Sequence, residues 1–469
     1  MLWACILLPQ LAMDGVLRHR AEPDQPLALL TGSSQRRVLQ AVNPAARSLG
    51  LKPGQSLTAA QALARGFATA EYDPAAIERW QQFLAAWAYG FSAQVSLHYP
   101  RCLLLEVQSS LGLFGPWPRF EARLRAELGA LSFQHRIAVA PNPAAARVLV
   151  NVGDGLVAND ATTLEQLLAP LPVDRLGFPA QVATAFNRMG LRQLRQLRVL
   201  PRDSVARRFP AGVLHHLDTL LGRRSLALDF YTPVDVFDAR IELNFEVESH
   251  QALLFPLRRL TSDLAAYLAG RDSGVQRFTL YLEHRNTPDT RVQVGLLSAE
   301  RDPGMLFELT RGRLEHQQLP ATVLAVRLVA RELPLFTPQH HTLFDERAQQ
   351  TQPWEQLRER LRARLGDDAL HGLGARADHR PERTWTSTPT DTLLPASGPR
   401  PGWLLADPQP LHEASLRILC GPERIESGWW DGADIRRDYY VVETRTGQRG
   451  WAFRTVGDSG PLLLHGWFA

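Results

Sequence analysis

The rhythm of apolar and polar positions changes several times along this chain, and each change marks a likely border between folding units. Up to about residue 165, apolar runs of strand length alternate with amphipathic stretches. Leu2–Leu8, Gln94–His98, Cys102–Val107 and Arg136–Ala140 predict strands. Pro74–Tyr89 predicts a helix because Ile77, Trp80, Phe83, Leu84 and Trp87 share one face, and Trp117–Leu131 predicts a second. From Leu171 to about Tyr231, short helical patterns are punctuated by Gly177, Gly190, Pro201, Pro210 and Gly222. Strand rhythm returns at Glu242–Val247, Phe278–Glu283, Arg291–Leu296 and Leu324–Val329, around a helix at Leu253–Ala269. That block predicts a separate small α/β domain.

Beyond Arg331 the pattern turns polar. Thr337–Gln352 and the Pro, Thr and Ser-rich Asp378–Pro401 predict linkers. Between them Trp354, Leu357, Leu361 and Leu365 fall on one helical face, with Pro353 opening the first turn and Gly366 closing the last. Gly402–Ala469 holds Trp403, Trp429, Trp430, Trp451 and Trp467 with the run Tyr439–Glu443, predicting a compact β module whose tryptophans are mostly core. In the turn-bounded pair Trp429 and Trp430, only one ring is expected to point inward. The fold class is therefore α/β (α+β) and multidomain.

Composition narrows the picture. With 469 residues, 45% hydrophobic and 21% charged, the chain can bury several cores and is not disordered. No apolar run reaches the ~20 residues of a membrane span. The start lacks the basic flank and small-residue cleavage site of a signal peptide. Cys5, Cys102 and Cys420 lie too far apart for a disulfide framework or a CxxC zinc site. The expectation is a cytoplasmic protein without cofactor. The formal net charge is only +4, and Lys52 is the sole lysine among 52 basic residues. Its distribution matters more. Between Phe186 and Arg224 lie arginines 188, 192, 195, 198, 202, 207, 208, 223 and 224 against Asp203 and Asp218, a candidate phosphate-binding surface. From Ile241 to Pro320, acids slightly outnumber arginines.

Ala41–Ser56, with Pro44, Arg47 and Gly54 in order, resembles the fingers motif of Y-family translesion DNA polymerases, and Ala138–Arg147, with Asn142, resembles their palm signature. The resemblance implies a palm at 1–165 with fingers inserted at about 31–70, and a helix-hairpin-helix-like thumb at 166–235. A little-finger-like domain follows at 238–330. It also implies two magnesium ions held by carboxylates, since phosphoryl transfer builds charge on attacking and leaving oxygens together. The matching positions here are Ile6, Leu8, Arg101 and Cys102, and Pro143 replaces a lysine. Magnesium needs hard oxygen ligands. The expectation is a polymerase-like protein that is not an enzyme, with neither catalytic nor metal-binding residues. The alternative is an active low-fidelity polymerase using Asp14 and Glu106 as displaced ligands, although Asp14 is expected on the following helix and Glu106 at a strand end.

The tail segments Gly421–Gly432, Arg437–Tyr440 and Leu464–Ala469 resemble the end signature of the ImuB family, the inactive polymerase-like subunits of the bacterial SOS mutasome. That resemblance implies an adaptor in translesion synthesis and mutagenesis, nucleoid-associated during DNA damage. Its partners would be the sliding clamp, an ImuA-like RecA-related protein and an error-prone DnaE-type polymerase. The remaining divisions are a linker with a clamp-binding peptide at 331–352, the amphipathic helix at 353–377, a linker at 378–401 and the Trp-rich module at 402–469. Two segments fit a clamp peptide: Leu333, Pro334, Leu335 and Phe336, or Leu343 and Phe344. In the first, Leu335 and Phe336 could instead pack in a core. Weak, sequence-independent primer–template contact is expected from Arg188, Arg192, Arg195, Arg198, Arg207 and Arg208. Trp354, Leu357, Leu361, Trp429 and Trp430 are the candidate partner contacts.

Overall fold

The apolar run at the start of the chain folds as β1 (Trp3–Leu7), the middle strand of a sheet covered on both faces. The computed structural model describes residues 1–336, 354–366, 369–387, 399–411 and 416–468. After β1 come α1 (Leu11–Leu17), β2 (Leu27–Thr31), β3 (Val38–Val42), the short helices α2 (Pro44–Ser48) and α3 (Leu57–Leu63), and β4 (Ala68–Glu71). Here β2 pairs antiparallel with β3 and parallel with β4 over a small core of Leu30, Leu39, Val42 and Leu51. These short strands have no clear period, so the hydrophobic pattern predicts none of them. The chain then runs through α4 (Pro74–Tyr89), β5 (Val95–Ser96), β6 (Cys102–Glu106), α5 (Leu111–Phe114), α6 (Trp117–Ala130), β7 (Arg136–Ala140), α7 (Pro143–Val152) and β8 (Leu156–Val157). The main sheet has the order β5-β6-β1-β7-β8, with β1 antiparallel to both neighbours.

Alternation along β1 assigns each side chain its layer. Cys5 and Leu7, with Cys102 and Leu104, pack under α7 and the helices beyond it. Ala4, Ile6 and Leu8, with Leu103 and Leu105, pack under α4 and α6. Burial on both faces is what a continuous apolar strand demands. The helices beyond are α8 (Ala161–Leu168), α9 (Ala180–Arg188), α10 (Leu194–Val199), α11 (Arg202–Arg208) and α12 (Ala211–Leu220). Asn142 ties them to the sheet: its Oδ1 accepts from the Ala145 N–H and caps α7, while its Nδ2 donates to the Leu220 carbonyl.

A second four-stranded sheet follows: β9 (Phe237–Val247), α13 (His250–Gly270), β10 (Val275–Glu283), β11 (Thr290–Glu300), α14 (Pro303–Glu315) and β12 (Val323–Glu332). Its order is β11-β10-β12-β9, antiparallel throughout, with apolar residues of α13 and α14 filling its core. The exposed side chains of this sheet neutralise one another, Arg240 with Glu283 and Arg327 with Asp238. Helix α13 lies so close to α4 that a side chain at Gly270 would collide with the Ala86 carbonyl. Beside that contact Arg18 is wholly buried and grips Asp263 with two hydrogen bonds of 3.0 and 2.5 Å. Its Nε donates to the Leu131 carbonyl, and its guanidinium lies 4.6 Å from the Trp80 ring and 4.8 Å from that of Phe133.

The chain divides into two compact units, Met1–Arg364 and Leu365–Ala469. Helix α15 (Trp354–Leu365) meets α14 through a small residue. It does not bury the Trp354–Leu365 stripe: Ala363 packs on α14, where a side chain at Gly312 would meet it at 3.0 Å, while Trp354, Leu357 and Leu365 stay exposed. The small Ala363 can approach a glycine on α14 in a way the bulky stripe cannot.

The second unit contains a hairpin, β13 (Gly374–Ala375) with β14 (Trp385–Thr386), and a five-stranded antiparallel sheet. The strands of that sheet are β15 (Trp403–Pro410), β16 (Arg417–Ser427), β17 (Ile435–Glu443), β18 (Arg449–Thr455) and β19 (Leu463–Trp467), in the order β15-β19-β18-β17-β16. Two expectations fail here. Asp378–Arg383 is structured and not linker, because Asp378 and Arg380 are buried. The tryptophans are not mostly core: Trp451 stacks on Tyr439 inside, but Trp403, Trp429 and Trp430 are exposed. Asp263→Asn is expected to destabilise the first unit by about 3–5 kcal/mol, since it leaves the Arg18 charge buried and unanswered. Thermal unfolding should show most of that loss recovered in the Arg18→Met, Asp263→Leu double variant.

Candidate functional site

The centre of the main sheet is the place to ask what chemistry the chain can support. Ile6 and Leu8 are fully buried, so neither side chain reaches solvent or a substrate. Arg101 turns its guanidinium to the Pro9 carbonyl at 3.2 Å, and its own carbonyl accepts from the Leu8 N–H. Cys102 lies in hydrogen-bond contact with Cys5, whose thiol burial holds well above its ordinary pKa. Arg147 stands 5.7 Å from the Tyr99 ring beside this thiol pair. A divalent cation would meet hydrocarbon, sulfur and guanidinium here, and these residues do not fit magnesium.

The two displaced acids are occupied elsewhere. Glu106 sits at the end of β6 and accepts from the Gln108 N–H, the Ser109 N–H and the Ser109 hydroxyl at 2.5–3.2 Å. It closes the turn that follows the strand. Asp14 lies on α1, buried, and accepts from the Gln134 N–H at 2.9 Å. Burial pushes its carboxyl up to about 7, against the opposing pull of the Gln134 N–H and Arg18. Among the described residues, no group of three His, Cys, Asp or Glu could hold a metal.

The arginine-rich helices are built around Gly177 and Gly190, both at positive φ, which let the chain turn tightly between α9 and its neighbours. Arg188, Arg192, Arg195, Arg198, Arg207 and Arg208 are all exposed. Arg195 and Arg198 meet Arg202 and Arg223 around a groove of about 390 Å³. Arg198 is paired with Glu165 and Arg202 with Asp218, which leaves Arg195 and Arg223 as the surplus in that groove. Arg188, Arg192, Arg207 and Arg208 do not line it.

Of the two clamp-peptide candidates, Leu343 and Phe344 lie outside the described residues. Leu333–Phe336 continues past β12 and pairs with a loop: the Gly274 N–H donates to the Pro334 carbonyl, and the Phe336 N–H to that of Asp272. Leu333 packs on the domain core, and the Phe336 ring is covered by the Arg301 guanidinium at 4.2 Å. Leu335 is 79% exposed, so the core reading fails for that residue.

In the tail, Trp429 and Trp430 are 77% and 59% exposed and meet edge to face at 5.5 Å. Neither can turn inward, because the space beneath their turn is filled by Arg380. Its buried guanidinium is forked by Asp378 and Asp431 at 2.7–3.0 Å and leaves no room for a side chain at Gly428. Arg380 pulls the Asp431 carboxyl down to about 2. Sequence reasoning missed this clamp and the Arg18–Asp263 pair. For the latter a signal existed: Asp263 stands on the apolar face of α13 among Leu257, Leu260 and Leu264.

Residues 16–151 match the model of the impB/mucB/samB family. The matched span begins after β1, so Ile6 and Leu8 lie outside it. Over 458 residues the chain is 27% identical to Protein ImuB of Caulobacter vibrioides strains NA1000 / CB15N and ATCC 19089 / CIP 103742 / CB 15, covering 90% of this chain and 100% of that protein. Among solved structures, DinB from Sulfolobus solfataricus is 14% identical with a TM-score of 0.40, covering 72% of this chain and all of that one. The insertion ternary complex of Dbh DNA polymerase is 15% identical with a TM-score of 0.41 over the same shares.

The first unit carries a pH signature through Asp14. Its folded carboxyl holds a proton up to about pH 7, whereas an unfolded one releases it near 3.8. The folded state therefore binds more protons across that window, and stability falls as pH rises through it, by up to about 4 kcal/mol. Asp14→Asn keeps an oxygen for the Gln134 N–H and removes the titration. Unfolding measurements should find the variant more stable than the parent at pH 8 and equal to it at pH 4.

Proposed function

We propose that this chain is a non-catalytic adaptor in SOS-induced translesion DNA synthesis and mutagenesis. The observation that carries the reading is the dry centre of the main sheet, where Ile6 and Leu8 are fully buried and Arg101 and Cys102 offer no oxygen ligand. In this reading the body is a polymerase-like palm, fingers, thumb and little finger that no longer transfers phosphoryl groups. Similarity to Protein ImuB along the chain supports the reading.

Each predicted contact then takes a place. The exposed arginines of α9–α11 give weak, salt-sensitive contact with primer–template phosphates. The little-finger-like sheet adds little grip, since Arg240, Arg277 and Arg327 on it are already paired with acids. The segment after β12 tethers the sliding clamp and raises the local concentration of whatever else the chain holds. The stripe of exposed Trp354 and Leu357 with half-buried Leu361, and the pair Trp429 and Trp430, recruit the ImuA-like RecA-related protein and the DnaE-type polymerase. Beside that pair Arg380, which lies 5.7 Å from the Trp430 ring, and Arg383 are both bound to the Asp431 carboxylate. A rigid aromatic pair in neutral surroundings suits an apolar protein surface better than a phosphate backbone.

The test is retention of the purified chain on immobilised sliding clamp. Alanine at Leu335, Phe336, Leu343 and Phe344 together is expected to weaken retention at least tenfold, as loss of an aliphatic and aromatic anchor pair implies. Leu335→Ala alone should leave the melting temperature unchanged. Undiminished retention by the fourfold variant would leave a plain DNA-binding repair protein in place of the adaptor.

A further inference from the structure

A cavity of about 740 Å³ opens between the end of α1 and the middle of α13, and its lining is unbalanced in charge. Four guanidinium groups border it: Arg18 and Arg20 from the first element, Arg258 and Arg259 from the second. Only Arg18 is answered by a carboxylate, that of Asp263. Arg259 reaches just the Ala130 and Leu131 carbonyls, at 3.5 and 3.4 Å. Its Nε and that of Arg20 are buried with no acceptor among the described residues. Arg258 is exposed and lies 4.5 Å from the Phe307 ring, with no carboxylate paired to it among the described residues. Several arginines elsewhere are answered: Arg125, Arg240, Arg327 and Arg424 each hold a carboxylate through two nitrogens or both oxygens.

The acids at the cavity do not restore balance. Asp24 is exposed at the rim, and Asp14 is half protonated near neutrality. The surplus is felt by its neighbours. Burial, together with repulsion from Arg18, lowers the Arg259 guanidinium to about 10, and burial with repulsion from Arg18 and Arg259 lowers the His19 ring to about 3. Arg20 and Arg259 are half-buried and Arg258 is exposed at the rim, and cations gathered without counter-charge repel one another, a cost that an anion entering among them relieves. Guanidinium forks match the oxygens of a phosphate. The volume falls in the range of small-molecule sites.

We propose that this cavity binds a phosphate group, carried either by a free nucleotide or by a DNA end, and that Arg20, Arg258 and Arg259 hold it. The site lies apart from the sheet centre and does not depend on the adaptor reading. The experiment is isothermal titration of the full-length chain with pyrophosphate as the probe. One-site saturable binding is expected, weakened at least tenfold in Arg20→Gln and in Arg258→Gln, an effect of about one lost charge-assisted contact. Neither side chain makes a hydrogen bond or ion pair among the described residues, so both variants should melt with the parent. Absence of saturable binding by the parent, or unchanged affinity in both variants, overturns the proposal. Two further arms separate the sources. A deoxynucleoside triphosphate that displaces pyrophosphate identifies the free nucleotide, and a short oligonucleotide that displaces it only when 5′-phosphorylated identifies the DNA end.

Discussion

A strand covered on both faces cannot carry charge, and β1 is such a strand. Ile6 and Leu8 on one side and Cys5 and Leu7 on the other belong to separate apolar cores, each closed by helices. A carboxylate at either pair of positions would have to leave water for hydrocarbon, a cost of several kcal/mol per ion even after relaxation. Two-metal phosphoryl transfer needs the opposite: a wet rim lined by oxygen. The same sheet cannot offer both. What it gains by being dry is a rigid frame from which the fingers-like excursion, the arginine-bearing helices and the second sheet project.

Where this protein does bury charge, it uses the charge to fix one element against another. Arg18 and Asp263 join α1 to α13 inside a ring of aromatic side chains. Arg380, forked between Asp378 and Asp431, props the turn that displays Trp429 and Trp430. Each pair fills its hydrogen-bonding capacity closely enough to offset much of its desolvation, and each sets a geometry that hydrophobic packing alone would leave loose. The cluster of Arg20, Arg258 and Arg259 breaks this rule, which is why it reads as a place for an anion that the chain itself does not supply.

Four strands of the main sheet were legible because continuous apolar runs leave little choice of layer, whereas the two-residue β8 was not. The fold class, the helical character of Phe186–Arg224 and the return to a second sheet followed from period changes in the same way. The small sheet of β2, β3 and β4 was not legible, since four- and five-residue strands around a core of Leu30, Leu39 and Val42 give no period to count. The packing of α15 through Ala363 was not legible, because a hydrophobic stripe says which residues prefer burial, and not that a glycine on α14 would admit Ala363. Arg380 was hidden for a related reason. A run rich in proline and threonine looks like linker until Asp431, some fifty residues on, comes back to meet it. Of the candidate site, the apolar positions Ile6 and Leu8 were readable from sequence, while the thiol pair beside Arg147 needed the register of β1 on β6.

The proposed adaptor reading requires that this frame carry no phosphoryl-transfer chemistry. Its most direct test is primer extension by the purified chain in magnesium and in manganese, freed of any co-purifying polymerase. No incorporation above that of a heat-inactivated sample is the result this account requires. Incorporation that disappears on Glu106→Ala would contradict it.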